Sequence, residues 1–424
     1  MAQMHDVVII GGGLAGYTAA NHLSGYNLSI LLLEKAKNIG GRARTNKVQN
    51  QYLNIGPHAF HKKGKAKSIL ERFGVELHGN SPKLNGILLD NHIEYAAPFT
   101  PSGTLTTSLL NWKERIEWII VIAKVNQLDT EKLTGQTFEQ WVKQVAPSQK
   151  VQSLLYILGR LATYCHAPEK VSAKLIVSHI KSVMGGVLYL DGGWQTIIDQ
   201  LHHRAVISHV KVQTHVTVKL ITSVKHDIKL ILSNGDEVLT KYVICTTSPA
   251  ELNKMLGEQA DLLPPVFNAF TSVRGAALDV ALTHLPNPKR LFAMDMIEPI
   301  YYSVHSNYAR LSKDGKSAVL HVFKYYHPED QIDGKKVQSE LECFLEKMQP
   351  GWKEFKITSR YMPHVTVNQR LPQIGAGHMQ LRSQTDITGL YIAGDWASPH
   401  SILAEGAIES GLHAAEEILQ KEKR

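Results

Sequence analysis

Val7-Val8-Ile9-Ile10-Gly11-Gly12-Gly13-Leu14-Ala15-Gly16, close to the start of the chain, is the stretch that decides the architecture. Four consecutive β-branched residues make the run that a strand covered on both faces of a parallel sheet needs. The glycines that follow have separate tasks. Gly11 permits a tight turn, Gly13 lets the backbone approach a pyrophosphate, and Gly16 lets a helix pack close to the sheet with its N-terminus facing phosphate charge. Leu14 to Leu23 has helical character, and Gly25 ends it. Leu28 to Leu33 is a second buried strand. Glu34 closes it eighteen residues beyond Gly16, where a carboxylate accepts hydrogen bonds from ribose hydroxyls. A glycine turn without a ligand is the competing reading; the strand before it, the helix after it and the acid beyond weigh against that.

Gly40-Gly41-Arg42-Ala43-Arg44-Thr45 follows. Its glycines allow close backbone approach, and its arginines, two positions apart, reach phosphate oxygens. Ordinary NAD dehydrogenases have no such continuation. Near the other end, Gly389-Leu390-Tyr391-Ile392-Ala393-Gly394-Asp395 puts a carboxylate at a strand end, suited to polyol hydroxyls. Glu405-Gly406-Ala407-Ile408-Glu409-Ser410-Gly411 comes next, and a helix starting near Gly406 aims its N-terminus at a group that gains negative charge.

Together these motifs resemble the flavin amine oxidase superfamily: amine oxidases, protoporphyrinogen oxidase and carotenoid- or squalene-type desaturases. The resemblance is closest over residues 5–60 and 388–418 and extends over 205–250. It implies an α/β fold, with a glutathione-reductase-like, Rossmann-type FAD-binding domain of residues 1–80, 205–255 and 375–424. A mixed α+β substrate domain of residues 81–204 and 256–374 is inserted in two pieces. By matching positions, Gly11, Gly13, Gly16, Glu34, Lys35, Gly41, Arg42, Val216, Gly394 and Asp395 would hold FAD noncovalently. Gly56-Pro57-His58 would pass the isoalloxazine ring, and the Ala404 N–H would meet the flavin carbonyl edge.

The departures bear on chemistry. Amine oxidases commonly place an aromatic residue just before the Ala404 position, where this chain has Leu403. They often carry a lysine near flavin N5, on a strand that here matches Ala276 to Leu282 and puts Asp279 at that place. Asp279 is otherwise read as a sheet-edge or surface acid. No cysteine falls in a flavin motif, so a thioether link is not supported. A second Gly-x-Gly-x-x-Gly is missing, so reduced nicotinamide has no evident docking domain, and electrons are expected to leave to oxygen or a quinone.

The rest of the chain supplies context. At 424 residues, two domains are expected. Residues from about Leu84 to Leu201 lean helical, Val206 to Thr246 follow a two-residue period with an Asn234-Gly235 turn, and residues 270–370 alternate strands with a helix. Three scattered cysteines exclude a disulfide framework, and 21 histidines show no metal-ligand spacing, so no metal is assigned. Lys+Arg total 46 against 38 Asp+Glu, a formal charge of +8, without a nucleic-acid module. No charged leader and no long apolar run are visible, so a cytoplasmic protein is expected. Between Trp112 and Val125, the face formed by Trp112, Ile116, Ile119, Ile120 and Ala123 reads as a packed helix or as a peripheral membrane contact.

These readings converge on an FAD-dependent oxidoreductase that abstracts a hydride from a small apolar substrate onto flavin N5 and forms C=C, as a desaturase does. Amine oxidation to C=N, a redox-neutral isomerase and a noncatalytic FAD protein are the alternatives. His58 is the candidate base or substrate-orienting group, unless its ring is satisfied by backbone. Lys324, Tyr325 and Tyr326 either line the pocket or pack in the core.

Overall fold

Two seven-stranded sheets organise the molecule in the computed structural model, which describes residues 3–83, 85–268, 270–374 and 382–423. The domain boundary expected at residue 375 falls outside these. In the first sheet Lys211–Gln213, Ile30–Leu33, Gln3–Ile10 and Glu237–Cys245 lie side by side in parallel. Leu390–Ile392 continues in the same direction along the C-terminal half of Glu237–Cys245. Asp227–Leu232 runs antiparallel along the other half, and Val218–Val224 completes a hairpin outside it.

The unbroken apolar run at residues 7–10 follows from burial on both faces. Val7 and Ile9 pack with the helices Leu14–Leu23, Gln195–Ile207 and Leu403–Glu422, while Val8 and Ile10 pack with Pro249–Leu256. Gly411 lets the last helix cross the first closely, since a Cβ there would stand 2.3 Å from the Ala15 carbonyl oxygen.

The second sheet has the order Lys356–Asn368, Val273–Leu282, Ala318–Tyr325, Ile300–Val304, Phe292–Asp295, Ile87–Asp90, Ile93–Ala96. Pleating splits the strand Ala318–Tyr325: Leu320 and Val322 meet the helix Gly334–Met348, while Phe323 and Tyr325 face a layer that includes Trp112–Gln127, Phe138–Val145, Gln149–Thr163 and Ala173–Met184. Lys356–Asn368 is an edge strand that contains Pro363. Its register shifts there, with Val365 opposite Gly275 and Met362 opposite Ala277, so the missing N–H falls in a bulge.

Several expectations need correction. Ile87–Asp90 and Ile93–Ala96, within the stretch read as helical, form a hairpin of the second sheet. Asn91 and His92 turn it with φ of +48° and +68°, the left-handed pair that suits a tight hairpin but that Asn-His does not announce as Asn-Gly does. Val216 lies between strands rather than in one, its N–H donating to the Glu34 carbonyl at 3.0 Å. The last helix starts at Leu403 rather than near Gly406. In the helix Trp112–Gln127, Trp118, Val121 and Val125 are buried, and the stripe read as its packing face lies outside: Trp112 is 71% exposed, and Ile116, Ile119 and Ile120 are exposed too. Among the described residues, no helix is long and apolar enough to cross a membrane, and no cluster of His, Cys, Asp or Glu could hold a metal.

Candidate functional site

The C-terminal ends of the parallel strands open into a cleft of about 410 Å³ that reaches across to the second sheet. Its floor is the glycine turn. Gly11 has φ +112°, its N–H donates to the Leu33 carbonyl at 2.8 Å, and the Gly40 N–H donates to the Gly12 carbonyl at 2.7 Å. A Cβ at Gly16 would lie 2.0 Å from the Gly11 carbonyl oxygen, so Gly16 serves helix packing and does not line the cleft. Gly13 differs. A Cβ there would meet only the Gly40 carbonyl oxygen, at 3.9 Å, so the protein's own packing leaves open the space that this glycine keeps clear.

Glu34 is buried at the edge of this floor. One carboxylate oxygen accepts from the Gly12 N–H and the other from the Ala36 N–H, both at 2.8 Å, which fixes the side chain at the strand end. Lys35 is exposed and pairs with Glu251 at 3.3 Å. Arg42 points across the cleft rather than along it. Its guanidinium donates to both Asp395 oxygens, at 2.7 and 2.6 Å, and to the Val367 carbonyl at 3.0 Å. Asp395, 2% exposed, also accepts from the Gln369 N–H at 2.8 Å. A bidentate pair of this kind fixes orientation as well as charge. It ties the motif at residues 40–45 to the one that ends at Asp395.

At the start of the last helix, Leu403 has φ +58°, a region that costs a leucine on the order of 1–3 kcal/mol. Its N–H donates to the Asn368 side chain at 2.9 Å. Glu405 accepts from the Ala66 N–H at 3.0 Å, and burial raises its pKa above the ordinary value. The first turn, with Leu403, Ala404 and Glu405, borders the cleft where helical N–H groups have no intrahelical acceptor.

The wall toward the second sheet is uncharged: Ile55, Tyr164, Phe323, Val365 and Val367 line it. His58 stands beside it, edge-on to Trp194 with ring centres 5.0 Å apart. Its Nδ1 lies 3.1 Å from the Gly56 carbonyl oxygen and its Nε2 3.1 Å from that of Arg42. Burial lowers its pKa and outweighs the two carbonyls, so the ring is neutral at pH 7. A neutral imidazole donates to one of these carbonyls only.

Of the residues singled out from sequence, Gly11, Gly13, Glu34, Lys35, Gly41, Arg42, Pro57, His58, Val216, Gly394, Asp395 and Ala404 line this cleft; Gly16 and Gly56 stand behind it. Lys324 and Tyr326 do not belong to it. Lys324 pairs with Glu298 and Glu340, Tyr326 packs on the opposite face of the sheet, and Tyr325 packs in the core beside Phe323 without lining the cleft. The pleat brings Phe323 into the wall instead. Asp279 is not a surface acid but wholly buried. Sheet register sets His321 and Arg360 opposite it on the two flanking strands, with Nδ1 of His321 at 2.7 Å and the Arg360 guanidinium at 2.5 Å. Burial pushes the Asp279 pKa up, yet its two partners hold it below the ordinary value. Cys245 adjoins the last strand in space, opposite Ile392, but is buried and does not line the cleft. Tyr164, Trp194 and Phe323 escaped the sequence reading, since no local motif marks them.

A profile described as flavin containing amine oxidoreductase matches residues 14–419. The chain belongs to that family. The L-amino-acid oxidase of Sistrurus catenatus edwardsii is 24% identical over 212 residues, which are 48% of this chain and 38% of that protein. The chain thus matches under two-fifths of the length of that curated relative. In fold it is similar to cyclohexylamine oxidase from Brevibacterium oxydans, with a TM-score of 0.73 at 16% identity, covering 99% of this chain and 100% of the other. An oxidoreductase from Methanosarcina mazei gives 0.75 at 17% identity, covering 98% and 100%. The family cofactor is noncovalent FAD. The cleft fits it: the space above Gly13 is kept open, the Glu34 carboxylate is fixed at the neighbouring strand end, and a helix start faces the interior.

Proposed function

We propose that this flavoenzyme oxidises a small apolar substrate, removing a hydride from one carbon while the proton of the adjacent carbon passes to a water molecule in the cleft, to form C=C. The observation that carries the reading is the uncharged wall of Ile55, Tyr164, Phe323, Val365 and Val367, with Leu403 rather than an aromatic residue beside the helix start. Bound FAD would supply the hydride acceptor, with oxygen or a quinone as the final oxidant. The chain's own task is placement. Gly11, Gly13, Glu34, Gly41 and Val216 would hold the nucleotide, and the first turn of the last helix, Ala404 included, would face the redox-active end. Tyr164 and Phe323 would exclude bulk water and orient the reacting C–H. We assign His58 to positioning: its imidazole spans the Gly56 and Arg42 carbonyls and keeps the chain before Ala59 in place.

We read the first sheet as the core of a glutathione-reductase-like FAD domain of residues 1–80, 205–255 and 375–424, and the second as the core of the substrate domain. The strands of each sheet fall within those ranges, which supports the division. The helix Gln195–Ile207 packs against the first sheet, so we move one boundary ahead of it. The exposed stripe of Trp112, Ile116, Ile119 and Ile120 we assign to an anionic membrane surface. Lys113 and Lys124 on the same helix, both exposed, supply the complementary charge.

The L-amino-acid oxidase and cyclohexylamine oxidase relatives favour a second reading, oxidation of an amine to C=N. Anaerobic bleaching of the bound flavin separates the two. Bleaching by an isoprenoid lipid and not by amines is the expected result; bleaching by an amine alone replaces the first reading with the second. A protein that takes up no FAD overturns both.

A further inference from the structure

Beyond the substrate wall lies a second cavity of about 160 Å³, lined by Phe138, Tyr156, Ile176 and Met296 together with the polar side chains of Ser153, Arg160, Cys165 and His166. Ile297, also in its lining, is 56% exposed and places the cavity near the surface. Arg160 is 5% exposed. Its guanidinium makes one hydrogen bond, to the Asp295 carbonyl at 3.3 Å, and stands 6.0 Å from the centre of the Tyr325 ring. Its buried Nε has no acceptor, and among the described residues no carboxylate forms an ion pair with it, Asp295 acting on its charge only from a distance. Arginine keeps its charge in proteins, so a buried cation stands here with its Nε–H donor unengaged. Such a charge is costly unless something compensates it.

Burial works against the Arg160 charge and outweighs the Asp295 carboxylate, which favours it from a distance without an ion pair. The other neighbours do not compensate. Burial, reinforced by Arg160, pulls the His166 pKa down to about 4, so that ring is neutral at pH 7. Burial pushes the Cys165 thiol up to about 12, which keeps it protonated. The chamber therefore carries one positive charge inside apolar walls.

We propose that this chamber binds a small monocarboxylate with a short apolar tail. The carboxylate takes the guanidinium fork of Arg160, and the tail lies against Phe138 and Ile176. A volume of about 160 Å³ has room for several water-sized groups, enough for a four-carbon acid. Phosphate fits poorly, because one guanidinium leaves a dianion under-neutralised against Phe138 and Ile176. The chamber touches the cleft indirectly: the Tyr325 ring, beside Arg160, is 5.9 Å from that of Tyr164, which lines the cleft. The proposal does not rest on the identity of the redox substrate.

The test is the thermal unfolding midpoint of the purified full chain with butyrate, against butanol, phosphate and chloride at equal concentration. Butyrate at 100 times its Kd is expected to raise the midpoint by about 3 °C, and the other three to leave it unchanged. Arg160→Met removes the poorly compensated charge, so its unliganded midpoint is expected to equal or exceed that of the unaltered protein, with the butyrate response lost. Ser153→Phe, which fills the chamber and leaves the Arg160 charge in place, is expected to lose the response as well. A response to phosphate rather than butyrate, or one that survives both substitutions, overturns the proposal. So does the absence of any butyrate response. A misfolded or markedly less stable Arg160→Met protein makes Arg160 a structural residue and has the same effect.

Discussion

Gly13 and Gly16 are three residues apart in one turn, yet alanine at each should fail for opposite reasons. At Gly16 the new methyl would stand 2.0 Å from the Gly11 carbonyl oxygen and 3.2 Å from its carbon, so the helix Leu14–Leu23 must move off the sheet by more than an ångström. Overpacking of this kind costs about 1–3 kcal/mol in the apoprotein. At Gly13 the nearest atom is 3.9 Å away, and φ is −97°, which alanine adopts freely. Restricting the unfolded chain contributes about 0.4–1 kcal/mol. Alanine is a poorer N-cap than glycine by a similar amount, so the net change in apoprotein stability should stay within about 0.5 kcal/mol of zero. The methyl instead fills space over which a dinucleotide backbone must pass, and a hundredfold loss of FAD affinity, about 2.7 kcal/mol, is expected. Urea unfolding of flavin-stripped protein and titration with FAD, followed by flavin fluorescence, measure the two quantities separately. Gly13→Ala protein that binds FAD as tightly as the unaltered chain would show that the open space is not the pyrophosphate approach. Loss of apoprotein stability equal to that of Gly16→Ala would refute the packing argument.

Asp279→Asn leaves Arg360, partly exposed and still bonded to the Asn54 carbonyl, without its carboxylate and should destabilise the protein by about 2 kcal/mol at neutral pH, read as a shift in urea midpoint. Because the folded Asp279 pKa is depressed, its contribution is complete above the unfolded value of about 3.9 and fades as pH falls through the folded value. A gap between the two proteins that widens on acidification contradicts this. Arg42→Gln removes the partner of an almost fully buried Asp395. The half-exposed guanidinium discounts the loss to about 2 kcal/mol, and FAD retention should fall with it. Unchanged stability of Arg42→Gln would mean that water replaces the pair at no cost. Replacing Trp112, Ile116 and Ile119 together by serine should leave the unfolding midpoint unchanged, since these side chains are exposed, while abolishing sedimentation with phosphatidylserine vesicles. Equal vesicle binding by both proteins removes the membrane assignment.

What the sequence discloses depends on how far apart the residues of a feature lie. The turn at Gly11 to Gly16 is legible because its constraints are local: a run buried on both faces, then glycines whose spacing answers to one strand and one helix. Glu34 follows from the same unit. The pairing of Arg42 with Asp395 spans 353 positions, and each residue read alone points to a ligand, Arg42 to phosphate and Asp395 to a hydroxyl. Only the fold shows that each takes the other. Sheet register is hidden in the same way. That Asp279 has His321 on one side and Arg360 on the other follows from which strands neighbour Val273–Leu282, and nothing within that strand encodes it. The phase of a pleat decides that Phe323 rather than Lys324 meets the cleft, although every residue from Val319 to Val322 is fully buried and gives no alternation to read. In the helix Trp112–Gln127 two apolar stripes compete, and a helix buries whichever its neighbours need. Here Trp118, whose indole N–H reaches the Pro98 carbonyl at 2.8 Å, won the interior. The stripe that lost stayed apolar although burial does not require it, and this favours a surface partner over a packing role.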